Sequence, residues 1–95
     1  MAREPRRSAR TYIVRGRVQG VGYRYFAQQW ATEIGLTGWV RNLDNGNVEV
    51  YACGRAAQLD EYAGRLRQGP RFSDVRGVEE CEAALLQSDG FSIRH

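Results

Sequence analysis

Gly16-Arg17-Val18-Gln19-Gly20-Val21-Gly22-Tyr23-Arg24 sits between a run of period two and a run of period 3.6. Upstream, Tyr12, Val14 and Val18 fall on one side with Gly16 between them, and Arg15 and Arg17 on the other. That alternation predicts a strand over 10–18 with one buried face. Ile13, on the arginine side, is the single departure. Downstream, Tyr23, Phe26, Ala27, Trp30, Ala31 and Ile34 recur at helical spacing, so 23–34 reads as an amphipathic helix stopped by Gly35. Three glycines between them allow the backbone positive φ and let a ligand approach without a Cβ in the way. A turn that opens a helix aims several unpaired N–H groups at one spot, which suits an anion. Arg24 lies in the first helical turn, where a positive charge opposes the helix dipole. A local rule broken at one position is a mark of a site.

Working outward, Thr37–Asn42 and 47–52 are strand-like, and Leu43-Asp44-Asn45-Gly46 joins them. Asn-Gly between such runs predicts a hairpin with a type I′ turn. Leu59, Tyr62, Ala63 and Leu66 place a second helix over 56–67, ended by Gly69-Pro70. A fourth strand is expected within 74–82, and Phe91-Ser92-Ile93-Arg94 alternates as a short terminal strand. The order is βαββαβ plus that strand. It predicts an α+β, ferredoxin-like fold, an antiparallel sheet of four strands plus a short terminal strand, with two helices on one face. A strand–helix–strand crossover leaves strands one and two parallel, with the third strand inserted between them. Both then end at the same sheet edge, roughly 10 Å apart. The glycine loop leaves the first there, and Asn42 ends the second. Asparagine is depleted in strands; turn initiation accounts for Asn42, and so does a role opposite the loop. A gap of that width accommodates a phosphoryl group and an attacking water.

Composition narrows the chemistry. A chain of 95 residues, 42% hydrophobic, is one small domain able to build a core without disulfides or metals. The net charge of +3 resides in residues 1–10, where four arginines face Glu4. The rest is balanced, which weakens an electrostatic case for nucleic acid, and residues 1–9 read as a solvated, flexible Arg-rich tail before a domain at 10–95. Every basic residue is arginine, so Schiff-base chemistry and a lysine phosphate loop are excluded. The lone histidine, His95, and two cysteines without metal-like spacing assemble no triad, His–Cys pair or zinc site. No secretory leader or run long enough to span a bilayer is evident, so a cytoplasmic chain with no membrane partner is expected.

The stretch 16–24, together with Gly38-Trp39-Val40-Arg41-Asn42 and Gly46-Asn47-Val48-Glu49, resembles the two signatures of the acylphosphatase family, and the likeness extends over about residues 10–95. Gly69-Pro70 and the ending Phe91-Ser92-Ile93-Arg94 are similar too. The resemblance implies a hydrolase that cleaves the carboxyl–phosphate bond of a small acyl phosphate, without cofactor or metal. It implies Arg24 and Asn42 as catalytic residues, and Gln19, Gly20, Val21, Gly22, Tyr23 and Arg24 as the binding site for phosphate. Inorganic phosphate or sulfate would occupy the same place. A monomer is the simplest expectation. The same element order is used by RNA-recognition domains, but 47–52 offers only Tyr51 and an acidic Glu49 where such domains carry stacking aromatics in a basic strand. A ligand-sensing regulatory domain of this architecture would bind without turnover, since fold alone does not set function.

Overall fold

The computed structural model describes residues 6–95 and contains β1 (Arg7–Arg17), α1 (Tyr23–Ile34), β2 (Thr37–Asn42), β3 (Val48–Arg55), α2 (Ala56–Gln68), β4 (Asp74–Ala83) and β5 (Phe91–Arg94). The strands form one sheet in the order β4-β1-β3-β2-β5. β3 pairs antiparallel with both β1 and β2, so those two run parallel with β3 between them. The register Val14↔Val48↔Asn42 brings their carboxyl ends to one edge. β5 adds to β2 in parallel, which makes the five-stranded sheet mixed.

Side-chain parity sorts the faces. Tyr12, Val14, Val40, Val48, Val50 and Ala52 point to the side covered by the helices, and meet Tyr23, Ala27 and Ala31 of α1 and Leu59, Tyr62, Ala63 and Leu66 of α2. Ala9, Tyr51 and Cys53 face the other way, with Trp39 and Ala83 packed against them. Three buried tyrosines stitch the layers. Tyr12 donates to the Leu59 carbonyl at 3.0 Å, Tyr23 to that of Leu66 at 2.7 Å, and Tyr62 to that of Ala27 at 2.8 Å. Each phenol thus buries its ring without stranding its hydroxyl.

Three expectations need correction. The expected flexible tail at 1–9 does not hold over Arg7–Ala9, which lie in β1 opposite Arg55–Cys53; residues 1–5 fall outside the described residues. The arginines conceal this strand because long guanidinium arms reach sideways: Arg7 donates to the Thr37 hydroxyl and Arg10 to Asp60, while Ala9 is buried between them in sequence. β3 runs on past Ala52 to Arg55, through Gly54. That glycine is required by packing rather than by a turn, since a Cβ there would collide with Leu36. The hairpin is not of type I′. Phe72 is the only non-glycine with positive φ among the described residues, so Asn45 is not left-handed. Gly46 N–H instead donates to Leu43 O at 3.2 Å, and Gly46 itself takes φ 93°. This is a turn centred on Asp44-Asn45 and closed by a left-handed glycine, the usual form of a longer hairpin loop.

At the edge where β1 meets β4, the register slips between Arg15 and Gly16. This bulge re-aims the strand immediately before the glycine loop.

Burial pushes the Tyr12 phenol up to about 12, and Tyr23 and Tyr62 are raised by burial as well. An unfolded chain ionises tyrosine near pH ~10, so the folded state holds protons that the unfolded state has lost above that pH. Stability contributed by these phenols is complete below pH ~10 and disappears as pH rises through about 12. The urea midpoint measured along an alkaline series should therefore fall steadily above pH ~10.

Candidate active site

The loop after β1 closes over the end of the hairpin by one side chain. Gln19 Nε2 donates to Leu43 O and to Asn47 O, both at 2.8 Å. Leu43 N–H in turn donates to Asn47 O at 2.8 Å. The carboxamide therefore ties the glycine loop to the two ends of the β2–β3 turn and has no N–H left for a ligand. From there the chain passes through Gly20 and Gly22, both left-handed with φ 76° and 79°, and no neighbouring atom would obstruct a Cβ at either position. Backbone geometry, and not crowding, demands glycine at both. Gly22 is the N-cap of α1 and supplies no side-chain cap; the first turn carries no acid. Among the described residues no acceptor meets the backbone N–H groups of Gly20 through Tyr25. Unpaired donors at a helix start, with the dipole behind them, form a ready anion site.

These groups border a cavity of about 240 Å³ lined by Gly20, Gly22, Tyr23, Arg24, Tyr25, Asn42, Ile93 and His95. The loop and the end of β2 thus meet at one opening, as strand parity predicts. Tyr23 contributes main chain only, because its side chain is buried and its hydroxyl engaged. Val21 packs its side chain against the core. Of the residues expected at an anion, Arg24 and Asn42 alone bring side-chain donors into the cavity.

Arg24 is held from β5. Its Nη1 donates to Arg94 O at 3.3 Å and lies 3.1 Å from His95 Nδ1. Arginine has no acceptor, so the imidazole nitrogen accepts. Five other arginines (10, 15, 41, 67 and 76) find carboxylates within 4 Å, but among the described residues Arg24 does not. Its charge is oriented without being neutralised. Asn42 is exposed at the last position of β2, and its carboxamide makes no hydrogen bond among the described residues.

His95 and Ile93 had no signal of their own in the sequence. They enter because β5 pairs in parallel with β2, and the register Arg41↔Arg94 carries the following residue level with Asn42. A larger cavity of about 390 Å³ lies between Arg7, Thr37, Cys53 and the segment Leu85–Asp89, apart from the glycine loop and from Asn42. Among the described residues no cluster of three or more His, Cys, Asp or Glu side chains is placed to hold a metal ion. No helix among them is long and apolar enough to cross a membrane.

The structure is a two-helix α+β sandwich that gathers a glycine loop, a guanidinium and a carboxamide at one sheet edge. Comparison with known proteins gives it a family. The acylphosphatase family model matches residues 10–93. The acylphosphatase of Solibacter usitatus is 63% identical over 86 residues, 90% of each chain, and that of Vibrio parahaemolyticus is 42% identical over 82 residues, 86% of this chain and 91% of the other. The crystal structure of acylphosphatase from Bacillus subtilis superposes with a TM-score of 0.89 at 40% identity, covering 92% of this chain and 98% of that one. The chain belongs to the acylphosphatase family.

Replacing Gln19 by Ala removes one of the two hydrogen bonds accepted by each of Leu43 O and Asn47 O, leaving each its backbone partner, and unlinks the loop from the hairpin. Urea unfolding of that variant should report a loss of about 1–3 kcal/mol, the net worth of two hydrogen bonds at about 0.5–1.5 kcal/mol each.

Proposed function

We propose that this chain hydrolyses acyl phosphates to a carboxylate and inorganic phosphate. The observation that carries the proposal is the convergence, in one cavity, of backbone N–H groups, a guanidinium and a carboxamide for which the described residues supply, respectively, no acceptor, no carboxylate and no hydrogen-bond partner. Family membership supports the same reaction.

In this mechanism the terminal phosphoryl oxygens lie in the loop, receiving hydrogen bonds from main-chain N–H groups between Gln19 and Arg24. Such nests stabilise anionic oxygens without reorganising. Arg24 adds a permanently charged planar fork; with Nη1 steadied by Arg94 O and His95, Nε and Nη2 are left to donate to phosphate oxygens. Asn42 orients a water for attack on phosphorus through its side-chain amide. The water oxygen bonds to phosphorus as the bond from phosphorus to the acyl oxygen breaks, and the electron pair leaves with the carboxylate. The water's proton passes to a phosphate oxygen. A carboxylate leaves readily and phosphoryl transfer is accelerated chiefly by positioning and charge, so no strong base is required.

The two residues divide the work, and the division is measurable. Arg24→Ala should abolish turnover of acetyl phosphate and weaken binding of inorganic phosphate in calorimetry. Asn42→Ala should bind phosphate as the parent does while kcat falls on the order of 10²-fold, the scale of a lost transition-state donor. An Asn42→Ala enzyme with normal kcat would remove the water-positioning role. An Arg24→Ala enzyme with normal turnover would remove the mechanism.

A further inference from the structure

The cavity has a second wall that the phosphate does not use. Of the five tyrosines, Tyr12, Tyr23, Tyr51 and Tyr62 each donate a hydroxyl hydrogen bond. Tyr25 donates none among the described residues, enters no aromatic pair, and is 64% exposed. Helix geometry explains the exposure, since Tyr25 lies off the buried stripe of Tyr23, Ala27 and Ala31. Helix geometry does not explain the residue type: a large ring left in water forgoes the burial that normally justifies it. Three other large apolar side chains are similarly exposed, Phe72, Leu85 and Leu86, and none of them borders the cavity that holds Arg24 and Asn42. Tyr25 does, and so does the half-buried Ile93 of β5.

The lining of the opening thus has a polar part, Gly20, Gly22, Arg24, Asn42 and His95, and an apolar part, the side chains of Tyr25 and Ile93. An acyl phosphate has the same two halves. With the phosphoryl group at the polar part, the acyl group has the ring face and the branched side chain available to it. Aromatic faces prefer offset or edge contacts with other flat rings, while a methyl group meets little of such a surface.

We propose that Tyr25, with Ile93 of the same cavity lining, is the acyl-group wall of the site and selects acyl phosphates with a planar aromatic acyl group over acetyl phosphate. This rests on the acyl phosphate reaction proposed above. The preference resides in ground-state contact with a part of the substrate that is not reacting, so it belongs mainly to KM.

The test compares benzoyl phosphate with acetyl phosphate in parallel assays of the parent, Tyr25→Ala, Tyr25→Phe and Phe72→Ala. The parent should show the higher kcat/KM for benzoyl phosphate. Tyr25→Ala should reduce the benzoyl-to-acetyl ratio by about three- to tenfold, the worth of one aromatic contact, chiefly through KM for benzoyl phosphate. Tyr25→Phe keeps the ring and should keep the ratio. Phe72→Ala removes an exposed ring remote from the cavity and should also keep it. Inhibition by inorganic phosphate should respond far less to Tyr25→Ala than the benzoyl ratio does. If both substrates are hydrolysed and Tyr25→Ala leaves their ratio unchanged, the wall is overturned and the reaction stands. The wall also fails if Phe72→Ala shifts the ratio equally. If the parent hydrolyses neither substrate, the reaction itself is wrong and the wall falls with it.

Discussion

The site depends on the two hydrogen bonds of the Gln19 carboxamide. β1 and β2 are not neighbours; β3 separates them, and nothing in sheet pairing alone fixes how the loop after one meets the turn after the other. Gln19 closes that gap by donating to Leu43 O and Asn47 O, the carbonyls at either end of the hairpin turn. Each carbonyl also accepts from the turn's own backbone, Leu43 O from Gly46 N–H and Asn47 O from Leu43 N–H, so the carboxamide uses their second lone pairs to tie a turn that is already closed to the loop. The clamp therefore holds Gly20–Arg24 at a set distance from Asn42, and every proposed role of the loop presupposes it.

Arg24 shows how a locally unfavourable choice becomes sensible in three dimensions. A cation in the first turn of a helix meets the positive end of the dipole, and α1 has no acid there to offset it. The compensation comes from the other end of the chain, where a carbonyl and an imidazole nitrogen of β5 and its successor accept from Nη1. Neither acceptor carries the full negative charge of a carboxylate, so the guanidinium is oriented while keeping its attraction for an anion. A carboxylate in the same place would compete with phosphate for the fork.

Much of this architecture was legible from residue spacing. The stripe from Tyr23 to Ile34 and the ends of β2 are read correctly because each has a single dominant period and a glycine or asparagine at its boundary. Crossover topology then places Asn42 opposite the loop with no knowledge of side-chain contacts. What escaped was set by tertiary contact. The arginines around Arg7 disguise the start of β1, because charge content suggests solvent while Arg7, Ser8 and Ala9 pair with Arg55, Gly54 and Cys53. The third strand reads only to Ala52, and its continuation through Gly54 to Arg55 follows from pairing with Arg7 and Ser8. Asn45-Gly46 signals a hairpin correctly but not its turn type, since the loop is one residue longer than the two-residue form. The parallel pairing of β5 with β2, and with it Ile93 and His95, has no local signature at all.

The strand order also has a consequence for how the loop acquires its shape. β1, which delivers the chain to Gly20, pairs only with β3 and β4, whose first residues are Val48 and Asp74. Apart from the β2–β3 hairpin, antiparallel pairing in this sheet is made between distant segments, the kind of contact that slows folding. The unpaired N–H groups thus converge through pairings of segments far apart in the chain. An anion that binds them favours the native state alone, so occupancy and global stability are linked. At a hundred times its dissociation constant such a ligand would raise the unfolding free energy by about 2.7 kcal/mol.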